Sequence, residues 1–144
     1  MKGGIEKMSK IAKMQVTAQD GTNWQPTEEQ EQITVIQWAR MMEKQFPDLE
    51  DLFHVGNGGL RSKTEAVRFK RLGVKAGVSD LFLPAPVGKY HGLWVEMKRQ
   101  HGGRLEPEQK DWLERMNRKG YLAVCAKGAD EACDIIYKYL TGEL

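Results

Sequence analysis

Gly77-Val78-Ser79-Asp80-Leu81-Phe82-Leu83 and, further on, Leu93-Trp94-Val95-Glu96-Met97-Lys98 are two short apolar runs, each broken by charge. Runs of this length, bounded by Gly and Pro, read as largely buried strands. A buried charge is costly unless it is paired or bound to a metal, so Asp80, Glu96 and Lys98 each require a partner. Strand side chains alternate, which puts Glu96 and Lys98 on one face. Pro84 to Lys89 supplies a turn, and an antiparallel hairpin centred on Gly88 sets Asp80 directly across from Glu96. Like charges so placed repel, and a divalent cation between them removes the repulsion. A slip of one residue would break this arrangement, and a structural Asp80–Lys98 ion pair is the competing reading.

Carboxylate oxygens suit Mg²⁺ or Mn²⁺, which keep several waters and bind substrate phosphate. Such an ion polarises a phosphoryl oxygen and acidifies a bound water. Lys98 is placed to orient that water and to stabilise developing negative charge. The main-chain carbonyl of Met97, lying between Glu96 and Lys98, is a further candidate ligand.

Outward from these runs, the chain of 144 residues is the size of one domain. No apolar run reaches the roughly 20 residues that cross a bilayer, and the first residues lack a signal-peptide core, so a cytoplasmic protein is expected. Cys125 and Cys133 are too few for a disulfide framework, and His54, His91 and His101 lack zinc-ligand spacing. Residues 1–25 carry little pattern and are expected to form a flexible arm, with one domain over 26–144.

Thr27-Glu28-Glu29-Gln30 opens a helix with Thr27 as N-cap. Ile33, Ile36, Trp38 with Ala39, and Met42 supply its apolar period, and Pro47 ends it. Leu52 to Val55 reads as a short strand running into the turn Gly56-Asn57-Gly58-Gly59. Arg61 to Leu72 reads as a basic helix closed by Gly73. Strands follow from Asp80 and from Tyr90. Pro107 starts a helix capped by Gly120, Tyr121 to Ala126 is a buried strand, and Asp130 to Leu140 is the last helix. The order α-β-α-β-β-α-β-α defines an α/β fold with a mixed central sheet flanked by helices.

The net charge is only +2, yet Arg61, Lys63, Arg68, Lys70, Arg71 and Lys75 crowd one stretch that holds a single acid, Glu65. That distribution fits a phosphate-backbone footprint, though a solvated helix face has the same composition.

Gly77-Val78-Ser79-Asp80, Glu96-Met97-Lys98 and Leu105-Glu106-Pro107-Glu108-Gln109, with His54-Val55-Gly56-Asn57-Gly58-Gly59 upstream, resemble the VRR-Nuc (virus-type replication-repair nuclease) branch of the PD-(D/E)XK nucleases. The resemblance runs from about residue 28 to 140. It departs at Ser79, where the family pattern has Pro. It implies a restriction-endonuclease-like fold, with Asp80 and Glu96 as metal ligands, Lys98 serving the nucleophilic water and Gln109 supporting the site. It also implies an acid from the first helix. Glu31 is the candidate, with Glu28 and Glu29 as alternatives, since the period drawn through Ile33 and Ile36 does not decide among them. Asn57, Gly58 and Gly59 would lie beside the DNA backbone. The implied activity is metal-dependent, structure-selective endonuclease cleavage of DNA at Holliday junctions or other branches, by a homodimer. The rival is a catalytically silent module that holds branched DNA; the intact Asp80, Glu96 and Lys98 argue against it.

Overall fold

The structure, a computed structural model, describes residues 24–56 and 62–144. The expected arm falls almost entirely outside them, as do Asn57, Gly58, Gly59 and Arg61. Along the described chain the elements are helix α1 (Glu28–Met42), strand β1 (Phe53–His54), helix α2 (Lys63–Arg71), strands β2 (Leu81–Leu83) and β3 (Leu93–Lys98), helix α3 (Pro107–Arg118), strand β4 (Leu122–Lys127) and helix α4 (Ala129–Leu140). The expected order is observed. Pro47, expected only to stop a helix, instead opens a 3₁₀ turn over Pro47–Asp51 that buries Leu49.

The four strands form one mixed sheet in the order β1-β2-β3-β4. β1 and β2, and β2 and β3, are antiparallel; β3 and β4 are parallel. The parallel pair needs a crossover, which α3 provides. Leu81 pairs with Val95, Phe82 with Trp94 and Leu83 with Leu93, which is the register that faces Asp80 toward Glu96. The turn reaches that register by a different route from a simple centre on Gly88. Val87 and Tyr90 bridge around Gly88-Lys89, with Gly88 at φ 56°. Pro84-Ala85-Pro86 then faces only His91-Gly92, and this extra residue restores the alignment of the strands.

Each sheet face has its own cover. Leu81, Leu83, Leu93, Val95, Met97 and Ala126 pack with Val35, Trp38 and Ala39 of α1 and Ala132, Ile136 and Tyr139 of α4. The opposite face carries Trp94, Ala123 and Cys125 against Leu113 and Met116 of α3. Asn117 ties α3 to the edge strand: its side chain donates to the Ala123 carbonyl and accepts from the Ala123 N–H.

Helix α1 has the expected capping box, in which Thr27 Oγ1 accepts from the Gln30 N–H and Gln30 Oε1 accepts from the Thr27 N–H. Its buried stripe, however, is Glu31, Val35, Trp38 and Ala39. Ile33, expected in the core, is 49% exposed. The helix is rotated relative to the sequence expectation because Trp38 and Val35 fill the space over the sheet.

Candidate active site

Asp80 lies immediately before β2, held at both ends. Its main-chain carbonyl accepts from the Val55 N–H at 2.8 Å and contacts His54 Nδ1 at 2.7 Å. A carbonyl only accepts, so His54 donates from Nδ1. The Asp80 Oδ2 accepts from the Met97 N–H at 2.7 Å. The preceding loop is fixed by Gly77, whose φ is +84° and whose α-carbon passes so close to α3 that a Cβ there would come within 2.4 Å of the Glu108 carbonyl oxygen. Glycine is the residue that tolerates both the angle and the approach. This contact brings the Asp80 loop against the first turn of α3, where Gln109 sits.

Glu96 and Lys98 project from β3 toward the α3 face and are 2% and 6% exposed. Glu96 Oε1 accepts from Gln109 Nε2 at 2.6 Å and faces Lys98 Nζ at 3.6 Å. Gln109 Oε1 meanwhile accepts from the Glu106 N–H, so the capping arrangement of α3 aims its amide at Glu96. Glu96 Oε2 is buried and has no hydrogen-bond partner among the described residues. Burial first, and the Asp80 carboxylate second, push the Glu96 carboxyl up to about 8, against the pull of Lys98. Three of the residues singled out from sequence, Asp80, Glu96 and Lys98, are therefore brought together, and Gln109 joins them by holding Glu96.

The first-helix acid divides differently from the sequence expectation. Glu31 lies on the far face of the sheet, in the α1–α4 layer, 4% exposed. Its Oε2 accepts from the Ala129 N–H at 2.7 Å, at the start of α4, and its Oε1 accepts from Gln100 Nε2 at 3.4 Å. A carboxylate at a helix N-terminus is stabilised by the exposed N–H groups and the helix dipole. Glu28, one turn earlier, is the α1 acid that reaches the site, 3.9 Å from Lys98 Nζ. Its placement is legible from the true helix phase: Glu31 is in step with Val35, Trp38 and Ala39, which marks it as core-facing.

Met97 buries its side chain in the α1–α4 layer, but its backbone serves the other side. A strand residue directs its N–H and C=O to the same edge. The Met97 N–H points to Asp80, whereas the neighbouring Lys98 carbonyl accepts from Gly128 on the β4 side. The Met97 carbonyl is thus directed toward the gap beside Asp80.

Among the described residues no three His, Cys, Asp or Glu side chains stand close enough to hold a metal ion by themselves. Two carboxylates and a backbone carbonyl fit instead an ion that keeps waters and shares substrate oxygens, as Mg²⁺ and Mn²⁺ do. The unpartnered Glu96 Oε2 is the atom such an ion would satisfy.

Lys63, Arg68, Lys70 and Arg71 lie on α2, which buries no residue, and Lys75 follows it. The segment carrying α2 joins β1 to β2, and so begins and ends at the end of the sheet where Asp80 sits. No helix among the described residues is long and apolar enough to cross a membrane.

A mixed sheet of this topology, with an acid before the second strand facing Glu-x-Lys on the third, accompanies a family match that makes the chain a nuclease-fold DNA-processing module. The VRR-NUC domain model matches residues 13–130, and the chain belongs to that family. The match begins upstream of the expected boundary at residue 26. A solved structure described as a VRR_NUC domain protein superposes with a TM-score of 0.72 at 34% identity, over 82% of this chain and 91% of that one. No curated protein matches the sequence.

Proposed function

We propose that the protein is a Mg²⁺- or Mn²⁺-dependent endonuclease that hydrolyses DNA phosphodiester bonds at Holliday junctions or other branched DNA, as a homodimer. The observation that carries this reading is the opposition of Asp80 and Glu96, with buried Lys98 on the same face and one Glu96 oxygen left unpartnered. Asp80, Glu96 and the Met97 carbonyl would hold the cation. Bound there, it would supply Lewis acidity to a phosphate oxygen and to a water. Gln109 keeps Glu96 in one orientation by donating to Oε1. Lys98, drawn between Glu96 and Glu28, keeps its ammonium beside the carboxylates, where it orients the attacking water and meets the charge that builds on the phosphate. Gly77 and the His54–Asp80 contact fix the backbone from which Asp80 projects.

Lys63, Arg68, Lys70, Arg71 and Lys75 would neutralise backbone phosphates, which positions DNA without reading its sequence. The lack of base-edge readout supports structure-selective over sequence-selective cleavage, and the family resemblance and the two equivalent strands of a junction support a homodimer.

The test is cleavage of labelled four-way junctions, flaps and linear duplex with Mn²⁺. Wild type cuts the branched substrates, while Glu96→Ala and Lys98→Ala lose cleavage but still bind DNA. Wild type that binds junctions and cuts nothing would identify a silent binding module instead.

A further inference from the structure

The α3-side face of the sheet carries two parallel rows of side chains. One is the Asp80–Glu96 row. The other, two residues along the strands, is aromatic: Phe53, Phe82 and Trp94 stand side by side across β1, β2 and β3. Phe82 is stacked on Trp94 with ring centroids 4.2 Å apart, Phe53 meets Phe82 edge-on at 5.8 Å, and Trp112 of α3 closes the other end against Trp94 at 5.2 Å. Gly92 makes room for this stack, since a Cβ there would come within 3.1 Å of the Phe82 ring. Among the described residues, Trp112 covers the Trp94 end of the band and Tyr121 meets Phe82 edge-on at 6.0 Å. At the β1 edge Phe53 is 48% exposed, and Phe82 is half-buried.

We infer that the Phe53–Phe82 end of this band is a stacking platform for an unpaired nucleobase of the substrate, next to the phosphate at Asp80 and Glu96; this rests on the nuclease reading and names the substrate feature it selects. Two residues along a strand span about 6.7 Å, or roughly two base steps of a DNA strand, so a base within one or two nucleotides of that phosphate reaches the rings. Bases inside a duplex show only their edges, because both faces are stacked. An unpaired base offers a face, and aromatic side chains accept any base on those terms. The charge is complementary. Lys63, Arg68, Lys70 and Arg71 lie on the connection that leaves β1 and returns to β2 at Asp80, and these suit the flanking phosphates. A flap, a frayed branch or a single-stranded tail supplies such a base; an intact linear duplex does not.

The experiment uses the full chain with DNA carrying 2-aminopurine, either unpaired beside a flap junction or inside a linear duplex. Wild type quenches the unpaired probe, and Phe53→Ala abolishes the quench and weakens flap binding roughly tenfold, with duplex binding unchanged. Phe53→Tyr retains both quench and affinity, which shows that the ring rather than the fold is at issue. Equal weakening of flap and duplex binding by Phe53→Ala overturns the inference, as does a quench that survives it. So does conversion of a dimer to a monomer by Phe53→Ala in sedimentation, which would assign the ring to a second copy of the chain. Because quench and binding need no cleavage, a wild type that never cuts DNA sinks the nuclease reading separately.

Discussion

Replacing Glu96 by Gln in the metal-free protein should remove a pH dependence of folding that wild type shows. Glu96 is held protonated in the folded state up to about 8, from an ordinary value of 4.5, by burial and by Asp80. The unfolded chain releases that proton near the ordinary value. Between these limits the folded state holds one proton more, so stability falls as pH rises. Each unit is worth about 1.4 kcal/mol, and from pH 5 to 7.5 wild type loses about 3 kcal/mol at this position, less whatever water entering beside Oε2 relieves. For a domain of this size the loss amounts to roughly 10 °C in Tm. Gln has no proton to lose, and its melting profile should lack that decline.

The assay is a series of thermal melts of wild type and Glu96→Gln at pH 5 to 8 in chelator, repeated with Mn²⁺. A cation bound to the ionised carboxylates reverses the penalty. At a hundredfold excess over its dissociation constant it adds about 2.7 kcal/mol to wild type, and it should add far less to the Gln variant. Superimposable metal-free profiles would refute the reasoning. They would mean that Glu96 is a settled ion-pair partner of Lys98, with no suppressed charge waiting for a cation.

Other consequences concern the frame of the site. Gly77→Ala should cost about 3 kcal/mol in urea denaturation, because it combines a strained positive φ with a Cβ driven into the Glu108 backbone. Glu31→Ala should destabilise by about 3 kcal/mol in the same assay, since it leaves the buried Ala129 N–H unpaired at the start of α4. Glu28→Ala, at a half-exposed side chain, should leave stability within about 0.5 kcal/mol yet slow junction cleavage roughly tenfold through Lys98.

The sequence was most legible where a local rule and a long-range constraint agree. The capping box at Thr27, the Pro107 start of α3 and the glycine stops at Gly73 and Gly120 are local chemistry, and they define element ends to within a few residues. The facing of Asp80 and Glu96 was readable because alternation in a hairpin leaves few registers. Even so, the turn is centred between Gly88 and Lys89 rather than on Gly88, with the extra residue absorbed at Pro84-Ala85-Pro86. The rotation of α1 was not readable from apolar spacing. Ile33 and Ile36 compete with Val35 and Ala39 for the same role, and only the space left over the sheet by Leu81 and Val95 decides in favour of Val35 and Trp38.

That rotation governs the acids as well. A helix lying across one face of a sheet can send a side chain to the opposite face only past the ends of the strands. Glu31, in step with the core stripe, is trapped on the α4 side and satisfies a helix start. Glu28 lies one turn nearer the helix N-terminus, at the margin of the layer, and from there it reaches Lys98. The two glutamates thus take separate tasks because α1 offers a single buried stripe. The residue that best fits that stripe is, for the same geometric reason, the one withheld from the face that carries Asp80 and Glu96.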